Sequence, residues 1–220
     1  MKKQETLKRI QQIGVIPVLR ASSIDRALAL VHAIEAGGIV ATEVTMTVPG
    51  AVPLIEKLVH DAGERFLIGA GTVLDPETAR LCILAGATFI VSPAVNLKTI
   101  EICHRYGVAV IAGALTPTEV ITAWEAGADI VKVFPCSAVG GASYVRALKA
   151  ALPQVEFIPT GGVSLSTAAE YLSAGAFALG VGGDLVDESA ILDGTPEIIT
   201  EKAKQYVSII QARHTGAIQN

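Results

Sequence analysis

The residue with the clearest chemical potential in this sequence is Lys132, which lies within the strand-like run of residues 129–135. Apolar surroundings remove the hydration of a charged ammonium group and so favour the free amine. A free amine is a nucleophile that attacks carbonyl carbons and forms imines. A lysine in such a run can also extend to the surface or neutralise a buried carboxylate, so its neighbours must decide between these roles.

Two further charged residues are expected near Lys132. Arg20 follows the first predicted strand and Glu43 lies within the second. The carboxyl ends of strands in a parallel barrel meet at one mouth, where catalytic residues gather. A Lys132–Glu43 ion pair could be purely structural, but such a pair often adds little stability once desolvation is counted. An amine beside a carboxylate suits imine catalysis, with Lys132 bonding to a ketone and Glu43 moving protons.

Two glycine-rich turns follow late strands, at residues 159–162 (PTGG) and 180–183 (GVGG). Backbone N–H groups in such turns can bind a phosphate, as loops 7 and 8 of (β/α)8 barrels often do. Glycine also makes ordinary tight turns, so either motif alone is weak evidence. Their joint occurrence at the two expected places predicts a phosphate site. A third run, residues 69–72, ends strand 3 without a dinucleotide fingerprint.

The elements that must position these residues follow from an alternation of short apolar runs with amphipathic segments of ten to fifteen residues. Eight strands are predicted, near residues 14–20, 39–46, 66–72, 88–93, 108–114, 129–135, 156–160 and 177–182. An Ala-Gly pair precedes strands 2, 4, 6 and 8, where glycine can cap the preceding helix. We expect an α/β protein of one domain, residues 1–220, folded as a (β/α)8 (TIM) barrel with an extra N-terminal helix. An open doubly wound sheet is the alternative.

Composition narrows the class of protein. The net charge of −4, with scattered Lys and Arg, argues against nucleic acid as a partner. The three cysteines show no disulfide or zinc spacing, and the apolar stretch near the N-terminus is too short for a signal peptide or membrane span. We therefore expect a cytoplasmic protein that does not bind membranes, with reduced cysteines and no zinc site. The four histidines fall on or beside predicted helices and are expected to have surface or packing roles.

Five motifs in register give a family resemblance. They are residues 43–45 (EVT), 69–73 (GAGTV), 92–93 (SP), 132–135 (KVFP) and 159–162 (PTGG). With these motifs in this order, the chain resembles the 2-keto-3-deoxy-6-phosphogluconate (KDPG) aldolases. This family includes 4-hydroxy-2-oxoglutarate (KHG) aldolases. The resemblance covers nearly the whole chain. It implies a homotrimeric class I aldolase on a (β/α)8 barrel, which needs no cofactor and binds a small 2-keto acid.

The resemblance also implies roles for single residues. Lys132 matches the Schiff-base lysine and Glu43 the general acid and base. The positions that match substrate-channel or phosphate-loop residues are Thr72, Pro93, Thr160, Gly161 and Gly162, and the glycine turn after strand 8 adds Gly182 and Gly183.

Two positions depart from the family pattern. Thr47 stands where some members have an arginine that binds the substrate carboxylate, and our hypothesis is that Arg20 supplies this cation while Thr47 adds a hydroxyl. Asp184 stands where some members have a serine in the phosphate loop, and a carboxylate that points into the loop would repel a phosphate dianion.

The expected reaction is reversible cleavage of KDPG to pyruvate and glyceraldehyde 3-phosphate, and also of 4-hydroxy-2-oxoglutarate to pyruvate and glyoxylate. Within this class, the galactonate epimer is an alternative substrate. A cofactor-free, phosphate-binding barrel isomerase is a second class, in which Lys132 would act without bonding to substrate. A non-catalytic phosphosugar sensor or assembly subunit is a third.

Overall fold

The computed structural model describes residues 2–216, in which eight strands alternate with helices along the chain. The strands are β1 (Val15–Leu19), β2 (Ala41–Thr45), β3 (Leu67–Gly71), β4 (Phe89–Val91), β5 (Ala109–Ala114), β6 (Ile130–Val133), β7 (Phe157–Pro159) and β8 (Leu179–Val181). The helices are α1 (Lys3–Ile13), α2 (Ile24–Ala36), α3 (Ala51–Ala62), α4 (Pro76–Leu84), α5 (Leu97–Tyr106), α6 (Pro117–Glu125), α7 (Ala142–Ala151), α8 (Ala168–Ser173), α9 (Glu188–Leu192) and α10 (Glu197–His214).

The strands form one parallel sheet in the order β7-β6-β5-β4-β3-β2-β1-β8. Its two ends meet, because Thr160 bridges to Gly180 and the Phe177 N–H donates to the Phe157 carbonyl at 2.8 Å. The sheet is therefore a nearly closed barrel. The predicted (β/α)8 architecture is confirmed, and the open doubly wound sheet is wrong.

Each strand falls within its predicted range but is shorter than predicted. The range near residues 88–93, for example, contains only Phe89–Val91 as strand. The ladder stops there because Pro93 has no backbone N–H and the Ser92 hydroxyl donates to the Ala94 carbonyl at 2.7 Å. Apolar composition marked where each strand lies, and in β4 the residues of the following loop set where the strand ends.

Local signals fix the helix ends. Asp75 caps α4 by accepting the Thr78 N–H at 2.6 Å, and Thr116 and Glu119 form a reciprocal capping box at the start of α6. The Ala-Gly pairs end helices as predicted, with the left-handed conformation at Gly86 and Gly127.

The extra N-terminal helix is also confirmed, and it closes one end of the barrel. Ile10 of α1 is fully buried among inward-facing residues of the strands, and Leu7 and Ile13 pack against the same cluster. A larger apolar layer lies between the outer face of the sheet and the surrounding helices. The end of the barrel opposite α1, where the strands terminate, is left for the site. Within residues 2–216, no helix is long and apolar enough to cross a membrane.

Candidate active site

Lys132 and Glu43 form an ion pair inside the barrel. The Lys132 ammonium lies 3.3 Å from Oε1 of Glu43, and the two residues are 5% and 3% exposed. Burying two charges is costly, so such a pair is poor evidence for a stabilising role. It does place a nucleophilic nitrogen within proton-transfer distance of a carboxylate, at the end of the barrel predicted from the sequence.

Strand alternation turns both side chains inward. On β6, Val131 and Val133 belong to the outer apolar layer, whereas Ile130 belongs to the inner cluster and Lys132 follows it on the same face. On β2, Val44 faces the outer layer, so Glu43 lies on the inner face with Ala41. Both side chains therefore lie in the barrel interior.

Glycines in the neighbouring strands β3 and β5 shape the barrel interior around this pair. A Cβ atom on Gly71 of β3 would overlap the carboxylate of Glu43, and one on Gly69 would overlap the ring of Phe89. Gly113 of β5 is the register partner of Lys132, and a Cβ atom there would overlap the backbone of Pro93. The interior near the carboxyl ends is therefore shaped by residues without side chains.

Two residues connect the ion pair to an open cleft. The Lys132 ammonium lies 5.4 Å from the centroid of the Phe134 ring, within cation–π range. The hydroxyl of Thr160 is buried, and among the described residues it has no hydrogen-bond partner. Because a Cβ atom on Gly180 would overlap this oxygen, the Thr160 side chain reaches across to β8 inside the barrel. A buried hydroxyl without a partner is suited to binding a ligand.

The cleft has a volume of about 530 Å³ and lies between the loops after β7, β8 and β1. Its lining includes six of the predicted binding residues, namely Arg20, Thr160, Gly161, Gly162, Gly182 and Gly183. It also includes residues not predicted to bind substrate, namely Val18, Phe134, Val163, Ser164 and Asp184. The glycine turns after strands 7 and 8 thus converge on one space, as the sequence predicted.

Three residues that line this cleft have unused backbone N–H groups. Among the hydrogen bonds of residues 2–216, none uses the N–H groups of Gly162, Gly183 or Asp184. The side chain of Ser137 lies against Gly162 and leaves no room for a Cβ atom there. Free N–H groups in glycine turns are the arrangement that binds phosphate oxygens.

The remaining three predicted binding residues follow β2, β3 and β4, outside the lining of this cleft. Thr47 is exposed, and its hydroxyl shares a 2.6 Å hydrogen bond with Thr45. Thr72 adopts the left-handed conformation, with φ of 56°, which is strained for a residue with a branched side chain. Pro93 is held against Gly113, and the Ser92 hydroxyl ties this turn to the Gly113 N–H at 3.3 Å. Backbone strain like that at Thr72 clusters at functional sites.

The carboxylate of Asp184, the acidic residue of the predicted phosphate loop, accepts hydrogen bonds from groups other than the N–H groups of the glycine turns. Its Oδ2 atom accepts hydrogen bonds from the Tyr206 hydroxyl at 2.6 Å and the Leu165 N–H at 3.3 Å. Burial and the Asp184 carboxylate raise the pKa of Tyr206 well above its usual range, so this hydroxyl remains a donor. Sequence reasoning missed Tyr206, because no local pattern connects a helix residue to a loop 22 positions earlier.

The other residues considered from the sequence lie on helices or in the core. His32, His60, His104 and His214 are on α2, α3, α5 and α10. The three cysteines are buried and unpaired, and burial raises the pKa of Cys82 and Cys136 to about 11 and that of Cys103 to about 12. Thiols with such pKa values are inert at neutral pH.

Comparisons with known proteins agree with the site. A family model described as "Aldolase: KDPG and KHG aldolase" matches residues 6–201. The 2-dehydro-3-deoxy-6-phosphogalactonate aldolase of Escherichia coli is 35% identical over 201 residues, which are 91% of this chain and 98% of that protein. The 2-dehydro-3-deoxy-phosphogluconate aldolase of Treponema pallidum is 35% identical over 202 residues, 91% of this chain and 95% of that one.

One of the similar solved structures contains a covalent intermediate. KDPG aldolase from Legionella pneumophila, with pyruvate captured as a covalent carbinolamine intermediate, superimposes with a TM-score of 0.83 at 32% identity, covering 90% of this chain and 96% of that one. The match of fold and sequence spans almost the whole chain, and it agrees with the five motifs. The chain therefore belongs to the KDPG and KHG aldolase family.

Proposed function

We propose that this protein is a class I aldolase that reversibly cleaves KDPG into pyruvate and glyceraldehyde 3-phosphate. The observation that carries the proposal is the buried Lys132 ammonium, 3.3 Å from the Glu43 carboxylate at the carboxyl ends of the strands. The relatives named as 2-dehydro-3-deoxy-phosphogluconate aldolases support the same substrate. Cleavage of 4-hydroxy-2-oxoglutarate to pyruvate and glyoxylate is proposed as a second activity of the same site, because the matching family model covers both.

The pair can carry every proton transfer in this reaction. Glu43 first takes a proton from the Lys132 ammonium, and the free amine attacks C2 of the substrate. Glu43 returns this proton to the carbinolamine hydroxyl, which leaves as water to give a protonated imine, and Glu43 is again a carboxylate. Glu43 then removes the C4 hydroxyl proton, and the C3–C4 bond breaks with its electrons moving into the imine. The aldehyde leaves, Glu43 returns a proton to C3 of the enamine, and water releases pyruvate from Lys132.

The cleft beside this pair suits the rest of the substrate. We propose that the free N–H groups of Gly162 and Gly183 bind the phosphate and that the Thr160 hydroxyl contacts the bound keto acid, since all three face one cleft. Thr72 and Pro93 are proposed to line the channel from the side of β3 and β4. Arg20 is exposed and shares the cleft with the glycine turns, which favours a contact with the phosphate over the substrate carboxylate suggested from the sequence.

The experiment that tests this function is a coupled assay of pyruvate release. Purified protein is incubated separately with KDPG, with its galactonate epimer and with 4-hydroxy-2-oxoglutarate, and pyruvate is measured with lactate dehydrogenase. The proposal predicts release from KDPG with the highest kcat/KM. Faster release from the epimer would support the alternative, since a relative named as a 2-dehydro-3-deoxy-6-phosphogalactonate aldolase is equally similar at 35% identity. No release from any of the three would contradict the aldolase function and leave the isomerase or the sensor.

We further propose that the chain works as a homotrimer. Large apolar side chains are exposed on the side of the barrel formed by α4 to α6, namely Leu74, Leu81, Leu84, Leu97, Ile121 and Trp124. A designed cage made by fusing symmetric oligomeric domains is 34% identical to this chain, with a TM-score of 0.83, and the match covers 93% of this chain and 74% of that one. Light scattering should give about three times the chain mass of 22.8 kDa. A monomer mass would contradict the proposal.

The compartment proposed for this enzyme is the cytoplasm. Its three cysteines are free and buried, and none is in a disulfide. Proteins with reduced cysteines are typical of a reducing compartment. Detection of the protein only in an extracytoplasmic fraction would contradict this assignment.

A further inference from the structure

The C-terminal helix α10 reaches the phosphate end of the cleft through one buried side chain. Tyr206 has no exposed surface, and its hydroxyl donates to Oδ2 of Asp184 at 2.6 Å. The same oxygen accepts the Leu165 N–H, in the loop after β7, whereas Asp184 itself lies in the turn after β8. A single carboxylate oxygen thus connects α10 to both of the loops that carry the glycine turns.

The backbone at Asp184 is held from the same helix. The Lys202 ammonium, one turn before Tyr206 on α10, donates to the Asp184 carbonyl at 2.7 Å. The turn therefore has two attachments to α10, one on its backbone and one on its side chain. Because Lys202 fixes the backbone, the Tyr206 hydrogen bond controls mainly where the carboxylate points.

Without the Tyr206 hydroxyl, the Asp184 carboxylate would have other hydrogen-bond donors nearby. The N–H groups of Gly162, Gly183 and Asp184 are free, and aspartate side chains readily accept from nearby backbone N–H groups. A carboxylate bound there would occupy the donors that a phosphate needs, and its charge would repel the phosphate dianion. The 3.3 Å contact with the Leu165 N–H is longer than a typical N–H···O hydrogen bond, so the Tyr206 hydroxyl makes the shorter of the two bonds to this oxygen.

We propose that Tyr206 is a positioning residue for the phosphate, which holds the Asp184 carboxylate away from the glycine turns and keeps their N–H groups free for the substrate. The inference rests on the proposed function only in taking the bound anion to be the phosphate of the substrate. It explains how a phosphate loop accommodates an acidic residue. It makes Asp184 and Tyr206 an interdependent pair, although Tyr206 touches no substrate.

The test compares two aldehydes that differ only in the phosphate. Aldol addition of pyruvate to glyceraldehyde 3-phosphate and to glyceraldehyde is measured for the native protein and for Tyr206→Phe, together with the Kd of inorganic phosphate by calorimetry. Loss of the hydrogen bond should raise both the KM for glyceraldehyde 3-phosphate and the phosphate Kd by about tenfold. The kcat/KM for glyceraldehyde should stay unchanged, which a general loss of stability would not allow.

Tyr144→Phe is the matched control. The Tyr144 hydroxyl also makes a 2.6 Å hydrogen bond, to the Leu115 carbonyl, but has no contact with Asp184. This variant should bind phosphate like the native protein. An equal loss of phosphate affinity in both variants would overturn the inference.

The second part of the test changes Asp184 itself. Asp184→Asn removes the charge, so Tyr206→Phe in that background should cause no further loss. Asp184→Glu keeps the charge but extends it beyond Tyr206, so it should weaken phosphate binding even if Tyr206→Phe fails to fold. Native-like phosphate binding by Asp184→Glu, or an undiminished Tyr206→Phe effect in the Asn background, would overturn the inference.

Different results would contradict the positioning role of Tyr206 and the proposed aldolase function. A native protein that binds no inorganic phosphate overturns the positioning role, whatever its aldolase activity. A native protein without aldol addition, but with phosphate binding that depends on Tyr206, overturns only the proposed function.

Discussion

Glu43 and Lys132 are 89 positions apart in the sequence and meet at 3.3 Å inside the barrel. Neither is needed to fill the core, because the layers around them are apolar. Gly71 provides the space that the Glu43 carboxylate occupies, and Gly113, the register partner of Lys132, lets the Pro93 backbone approach. A barrel interior that could be filled with aliphatic side chains instead holds one amine and one carboxylate, as imine chemistry requires.

Replacing the carboxylate tests its role as the proton carrier. Glu43→Gln keeps the size of the side chain but cannot accept the C4 hydroxyl proton, so kcat for cleavage should fall by about 10²–10⁴-fold. Lys132 remains, so pyruvate should still form a borohydride-reducible adduct after long incubation. Steady-state kinetics and intact mass check the two parts. A kcat within a factor of two of the native value would exclude Glu43 as the general acid and base.

The space beside Glu43 can be tested by adding one methyl group. In Gly71→Ala the new Cβ atom would overlap the Glu43 carboxylate, which must then move from its place beside Lys132. A displacement of about 1 Å can lower kcat by about 10²-fold. Gly69→Ala, two residues earlier on β3, is the control, because its Cβ atom meets Phe89 instead. It should lower the thermal midpoint with a smaller loss of kcat. Equal kcat values in the two variants would contradict this role of Gly71.

Removing the Thr160 hydroxyl should make the protein more stable but weaken substrate binding. Its buried hydroxyl has no partner among the described residues, so Thr160→Val should raise the free energy of unfolding by about 1 kcal/mol. The same change should raise the KM, because the proposed contact with the keto acid is lost. Denaturant unfolding and steady-state kinetics measure the two effects. A variant that is less stable, with an unchanged KM, would show that the hydroxyl has a structural role.

The role of Arg20 can be assigned by measuring the KM values for pyruvate and for glyceraldehyde 3-phosphate separately. In the direction of aldol addition, Arg20→Ala should raise the KM for glyceraldehyde 3-phosphate by about tenfold or more, because a charge-assisted contact is lost. The KM for pyruvate should change little, since Arg20 shares the cleft with the glycine turns that are proposed to bind the phosphate. Arg26→Ala is a control, because Arg26 bonds to Ser22 and Glu188 instead of lining the cleft. A rise in the KM for pyruvate alone would instead support the carboxylate role inferred from the sequence.

The parts of the fold predictable from the sequence are those set by local pattern. Apolar runs marked the position of every strand, and the charge of Lys132 within such a run marked the site. The Ala-Gly pairs marked helix ends because the left-handed conformation, as at Gly86, strongly favours glycine. In each case the information lies within a few neighbouring residues.

The parts that could not be predicted depend on contacts between distant segments. No pattern around Tyr206 indicates that its hydroxyl binds Asp184. The same holds for Gly71, whose sequence position gives no sign that Glu43 needs its space. These features arise from the register of neighbouring strands and the packing of α10, which only the three-dimensional structure supplies.

The most direct measurement is intact mass after incubation with pyruvate and sodium borohydride, on the native protein and on Lys132→Ala, with peptide mapping of any adduct. Lys149→Ala is the matched control, because this lysine pairs with Glu156 on the outside of the barrel. An adduct on Lys132 in the native and Lys149→Ala proteins, absent in Lys132→Ala, is the predicted result. No adduct in the native protein, or one that persists in Lys132→Ala, would contradict imine catalysis at this lysine.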